Sequence, residues 1–132
     1  MKVFLTHAAK DELLAAQLAS RLTDGGIDVL TPYEDIVPGD NWAEKVAHAL
    51  DDSELMLILL TPGAMQSDSL RKDIDYGLSS KKFRGRLMTV FVGAAAEAPG
   101  DVPWILLQQR YQQLRSSADF PEVVDELTAL AQ

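Results

Sequence analysis

The side chains that most often carry chemistry are few in this chain: two histidines, His7 and His48, no cysteine, and 20 aspartates and glutamates among 132 residues. Without cysteine there can be no disulfide, thiolate zinc site or thiol nucleophile. The two histidines fall on separate segments with no ligand spacing, so no metal centre is expected. His48 reads as a polar position on a helix. His7 follows a short apolar run and has two open readings, local hydrogen bonding or ligand contact. No Gly-x-Ser-x-Gly elbow is present to hold a hydrolase serine. The turn Thr6-His7-Ala8-Ala9-Lys10 has no glycine, which excludes a dinucleotide-binding Gly-rich turn and a P-loop. A phosphoacceptor receiver would need acids after its first strand and an aspartate ending its third. Thr6-His7 and Leu60-Thr61 stand there instead. Acidic residues outnumber the 12 Lys and Arg.

Those carboxylates also set the charge. The net charge is −8, which disfavours nucleic acid, since polyanion binding needs clustered Lys and Arg. Lys81-Lys82-Phe83-Arg84-Gly85-Arg86 is the one basic cluster. It reads either as a solvated loop or as a partner for the acidic loop of a second copy. The start Met1-Lys2-Val3-Phe4-Leu5-Thr6 turns polar too soon for a signal peptide. No apolar run reaches the roughly 18 to 20 residues a spanning helix needs. No membrane is expected, and the expected location is the cytoplasm. A free-standing single domain spanning 1–132 is also expected.

The positioning elements follow from periodicity. Val3-Phe4-Leu5 suits a central strand, and Asp11 to Leu22 carries Leu13, Leu14, Leu18 and Leu22 at helical spacing. Gly25-Gly26 ends that helix. Ile27 to Leu30 is a second strand, and a loop rich in Pro, Gly and acid runs from Thr31 to Asp40. Asn41 can cap a helix bearing Trp42, Val46 and Leu50. Leu55 to Leu60 is the most hydrophobic strand, broken by Thr61-Pro62-Gly63. A helix over Ser69 to Ser79 has Leu70, Ile74 and Leu78 spaced by four. Arg86 to Val92 is a fourth strand, and Val102 to Leu107 a short strand or the approach to one. A final helix starts near Pro121 and carries Val123, Val124, Leu127 and Leu130.

Strands alternating with helices give an α/β fold, a central parallel sheet with helices on both faces. Ligands in such sheets sit at the carboxyl ends of strands. That places Thr6 to Lys10, Thr31 to Asp40 and Thr61 to Ser69 around one crevice.

One set of motifs, in order over roughly residues 2 to 92, resembles the Toll/interleukin-1 receptor (TIR) family, in the style of its bacterial members. Val3-Phe4-Leu5-Thr6-His7-Ala8-Ala9-Lys10-Asp11 is similar to that family's opening strand, with its Ser-His-Ala and following acid. Gly26-Ile27-Asp28-Val29 resembles its second strand, and Pro38-Gly39-Asp40-Asn41-Trp42 its Pro-Gly-Asp-x-Trp. Ala49-Leu50-Asp51-Asp52-Ser53-Glu54, then Leu57 to Leu60 and Thr61-Pro62, resembles the stretch around its third strand.

The resemblance implies a flavodoxin-like three-layer sandwich, about five parallel strands in the order 2-1-3-4-5. It also implies cleavage of the nicotinamide–ribose bond of NAD, as substrate rather than cofactor, on self-assembly in bacterial defence or signalling. The family's glutamate lies in Ser-x-Trp-x-x-x-Glu, and Asp73 takes that place here within Ser67-Asp68-Ser69-Leu70-Arg71-Lys72-Asp73-Ile74. Ser69 falls where the family often has tryptophan. Asp73 is thus the expected catalytic carboxylate, with Thr6, His7, Ala8, Tyr33 and Ser69 as expected substrate contacts. Asp73 has an alternative as a solvated helix acid, and Asp75 is expected at solvent. Glu34, Asp35, Ile36, Val37, Pro38, Gly39 and Asp40 form the loop that in the family mediates self-association, which by head-to-tail contact would give filaments; its other reading is a surface loop. Trp42 is read as a core anchor rather than a nicotinamide platform. The alternative function is a non-catalytic TIR module that assembles with other TIR domains or senses a nucleotide.

Overall fold

A computed structural model describes residues 1–30, 48, 51–79, 83, 86–93 and 110–131, without the side chains of Ser69 and Ala131. The loop Thr31 to Asp40 with Tyr33, the Asn41 cap and Trp42 lie outside these residues, as do Lys81, Lys82, Arg84 and the strand expected over Val102 to Leu107.

Five strands, β1 (Lys2–Thr6), β2 (Asp28–Leu30), β3 (Leu55–Leu60), β4 (Leu87–Val92) and β5 (Arg110–Leu114), form one parallel sheet. Their order is β2-β1-β3-β4-β5, the order expected. Helices α1 (Glu12–Asp24), α2 (Asp68–Ser79) and α3 (Phe120–Ala131) accompany them. β3 is buried at all six positions, because a central parallel strand is covered on both faces and an unbroken apolar run satisfies both. Side chains alternate across it. Leu55, Leu57 and Leu59 join Val3, Leu5 and residues of α1 and α3 in one core layer. Met56, Ile58 and Leu60 join Phe4, Leu87, Phe91 and the α2 residues Leu70 and Ile74 in the other.

The end of α1 shows how local sequence sets direction. Gly26 takes φ +87°, its N–H bonds to the Thr23 carbonyl at 3.0 Å, and the Ile27 N–H reaches the Leu22 carbonyl at 2.9 Å. That is a Schellman closure, which glycine permits at low cost. Ile27 and Leu22 are both buried in the same layer, so the chain turns straight into β2.

Two expectations shift. The buried stripe of α1 is Ala15, Leu18 and Leu22, with Leu14 packed at its margin, whereas Leu13 is 82% exposed. At 3.6 residues per turn Leu13 sits about 140° from Leu18, too far round to share its face. The fifth strand described is Arg110–Leu114, of which only Leu114 is buried.

Candidate functional site

The inner face of α2 is set by the spacing Leu70, Asp73, Ile74 and Gly77, and all four are buried. One ionisable residue therefore stands in the stripe that presses on the sheet. Gly77 allows the helix to come close: a Cβ there would lie 2.8 Å from Met56 Sδ and 3.0 Å from Leu87 Cδ2. One turn earlier, Asp73 is 2% exposed, and its Oδ2 accepts a hydrogen bond of 2.7 Å from Thr6 Oγ1. Thr6 is the last residue of β1, fully buried, on the face it shares with Phe4 by alternation. The solvated-acid alternative for Asp73 is thus overturned, because the carboxylate points inward and is held by a donor. Asp75, on another face, is exposed as expected.

His7 is 6% exposed with Nδ1 2.8 Å from the Ala8 carbonyl oxygen. A carbonyl only accepts, so Nδ1 must carry the proton in this contact. Ala8 is 2% exposed. Thr6, His7 and Ala8 therefore cluster at the carboxyl end of β1, and each is buried in the single chain. Ser69 lies in the first turn of α2, where Ser67 Oγ accepts from the Leu70 N–H at 3.3 Å. The outer side of this turn carries an exposed Arg71–Asp68 pair. Tyr33 and Glu34 to Asp40 are outside the described residues.

A second polar cluster was not anticipated. Lys10 Nζ donates to Thr61 Oγ1 at 2.6 Å, and Thr61 Oγ1 donates to Asp11 Oδ2 at 2.6 Å. Lys10 Nζ also meets Asp11 Oδ1 at 3.2 Å. The cluster ties the turn after β1 to the turn after β3, so two of the three segments expected around the crevice do meet. Its partners are 50 and 51 residues apart in the chain, a separation that no local pattern signals. Among the described residues no group of His, Asp and Glu could hold a metal ion, and no helix is long and apolar enough to cross a membrane. An open groove between α1 and the Ser117–Phe120 segment includes Leu13, Ala16 and Gln17; none of the expected site residues lines it.

The family model for the TIR domain matches residues 3–127. The chain belongs to the TIR domain family. No curated protein matches it in sequence. Among solved structures it is similar to the TIR domain of the Toll-related receptor TRR-2 from Hydra magnipapillata, at 21% identity and TM-score 0.72, covering 96% of this chain and 94% of that one. A metazoan TIR-STING receptor from C. gigas, solved in complex with 2',3'-cGAMP, matches at 16% identity and TM-score 0.64 over 92% of this chain. This TIR domain spans only 38% of that receptor chain. The IL-17 receptor B SEFIR domain matches at 15% identity and TM-score 0.66, covering all of this chain and 97% of that one. At these identities the likeness is one of fold.

Proposed function

We propose that this TIR domain cleaves the nicotinamide–ribose bond of NAD, by hydrolysis or cyclisation, when copies associate, and that it works in the cytoplasm in bacterial defence or signalling. The observation that carries the reading is Asp73: a carboxylate turned inward from α2 onto the carboxyl end of β1, where an open parallel sheet binds its ligands. Cleavage passes through an oxocarbenium-like ribosyl cation, as glycoside hydrolysis does. A fixed carboxylate stabilises that charge and can accept hydrogen bonds from ribose hydroxyls. The nicotinamide leaves as a neutral pyridine and needs no general acid. NAD is then substrate, and no cofactor is required.

Association enters because Asp73 is only 2% exposed in the single chain. A substrate must reach the carboxylate, so the segments around it have to part, and contact between copies through Glu34 to Asp40 would supply the energy. Purified protein should therefore release nicotinamide with a rate per chain that rises with concentration or with a crowding agent. Asp73→Ala should abolish the release. Activity that survives Asp73→Ala would remove Asp73 from the chemistry.

The same burial favours a second reading, a TIR module without turnover that assembles with other TIR domains or senses a nucleotide. The C. gigas receptor that shares the fold and was solved with 2',3'-cGAMP keeps nucleotides among the ligands to try. This reading expects no nicotinamide release at any concentration, yet assembly that Pro38→Ala or Gly39→Ala disrupts.

A further inference from the structure

We infer that Thr6 is a positioning residue for Asp73 and does not itself touch substrate, an inference that rests on the NAD-cleaving reading above. The Thr6 hydroxyl has one hydrogen, and the 2.7 Å contact gives it to Asp73 Oδ2. The side chain is fully buried and its one hydrogen is committed to Asp73, so it has no donor left to offer a ligand.

The geometry also explains why the hydroxyl comes from this residue. β1 is hydrogen-bonded on both sides, to β2 and to β3, and Thr6 itself stands opposite Ile58. Its backbone is thereby held rigidly by pairing with β3 at this end of the strand. Threonine is β-branched and stiff about χ1, so the oxygen inherits that rigidity. Asp73 belongs to a helix that packs on the sheet by contact, at Leu70, Ile74 and Gly77. The Thr6 contact refers its carboxylate to the sheet instead of to the helix. An aspartate reaches one methylene less far than glutamate, and a misplacement of about 1 Å can cost about a hundredfold in rate. A short acid has more need of such a reference.

The test is kcat and KM for nicotinamide release by wild type, Thr6→Val and Thr6→Ser at assembling concentrations, with melting temperatures of the same proteins. Thr6→Val keeps the shape and loses the donor. It should lower kcat by about ten- to a hundredfold while KM stays near the wild-type value, and Thr6→Ser should recover most of the rate. A rise in KM at unchanged kcat would make Thr6 a substrate contact and overturn the inference. So would release by Thr6→Val above wild type, which would make the hydroxyl a lock on the carboxylate. Equal losses in Thr6→Ser and Thr6→Val, in step with melting, would reduce the pair to a structural tie. Wild type that releases no nicotinamide at any concentration removes the NAD reading and this role with it. The contact is then still judged separately, by melting of Thr6→Val, Asp73→Ala and the double variant: a combined loss smaller than the sum confirms it, and additive losses refute it.

Discussion

A carboxylate under a helix and a lysine pinned at half exposure both need partners, and in this chain a threonine is among the partners of each. Thr6 holds Asp73, and Thr61 stands between Lys10 and Asp11. The two differ in where their energy lies. Asp11 is 9% exposed and Lys10 50%, so the ion pair is partly screened and contributes about 0–1 kcal/mol. Removing the Thr61 hydroxyl instead leaves a nearly buried carboxylate short of a donor, which costs about 1–3 kcal/mol. Thr61→Val should therefore lower unfolding free energy in urea more than Lys10→Met does, with Thr61→Ser close to wild type. Neither threonine contact was legible in the sequence, since each joins residues 50 or more apart. The place of Asp73 was legible only through family motifs. Its burial was not, because the spacing of Leu70, Ile74 and Leu78 suggested a stripe centred slightly to one side. The stripe that packs runs through Leu70, Asp73, Ile74 and Gly77, and Leu78 is only half-buried.

Elements with strong local causes were the legible ones. The run Leu55 to Leu60 could only be a strand covered on both faces, and Gly25-Gly26 could only end a helix. Gly26 sits at φ +87° with nothing within 4 Å of an added Cβ, so the cost of Gly26→Ala is purely conformational, about 1–2 kcal/mol. Thermal or urea unfolding should show that loss without a change in fold. At Gly77 the obstacle is packing, because the added methyl meets Met56 and Leu87. Overpacking of this kind costs about 1–3 kcal/mol, against which alanine regains about 1 kcal/mol of helix propensity. Gly77→Val should therefore destabilise more than Gly77→Ala, and both should loosen α2 over Thr6, read as faster amide exchange in α2. β5 escaped the sequence for the opposite reason. Arg-Tyr-Gln-Gln-Leu lies at the edge of the sheet and buries only Leu114, so no apolar run marks it.

At the scale of the molecule, strand order, helix placement and the match over residues 3–127 agree on a TIR domain, and the proposed chemistry turns on one acid. The chain carries aspartate at position 73 in a place that the single copy keeps closed. Two consequences follow together: activity should depend on association, and it should depend on the length of that side chain. Glutamate reaches one methylene further from the same helix position, toward a ligand at the carboxyl edge, though it must find room beside Thr6. The measurement that bears most directly on the whole account is nicotinamide release from NAD by wild type, Asp73→Glu and Asp73→Ala, each at low and at assembling concentration. Release by wild type should rise per chain with concentration, Asp73→Glu should release at least comparably, and Asp73→Ala should release none. Equal release by wild type and Asp73→Ala at assembling concentration would contradict the account.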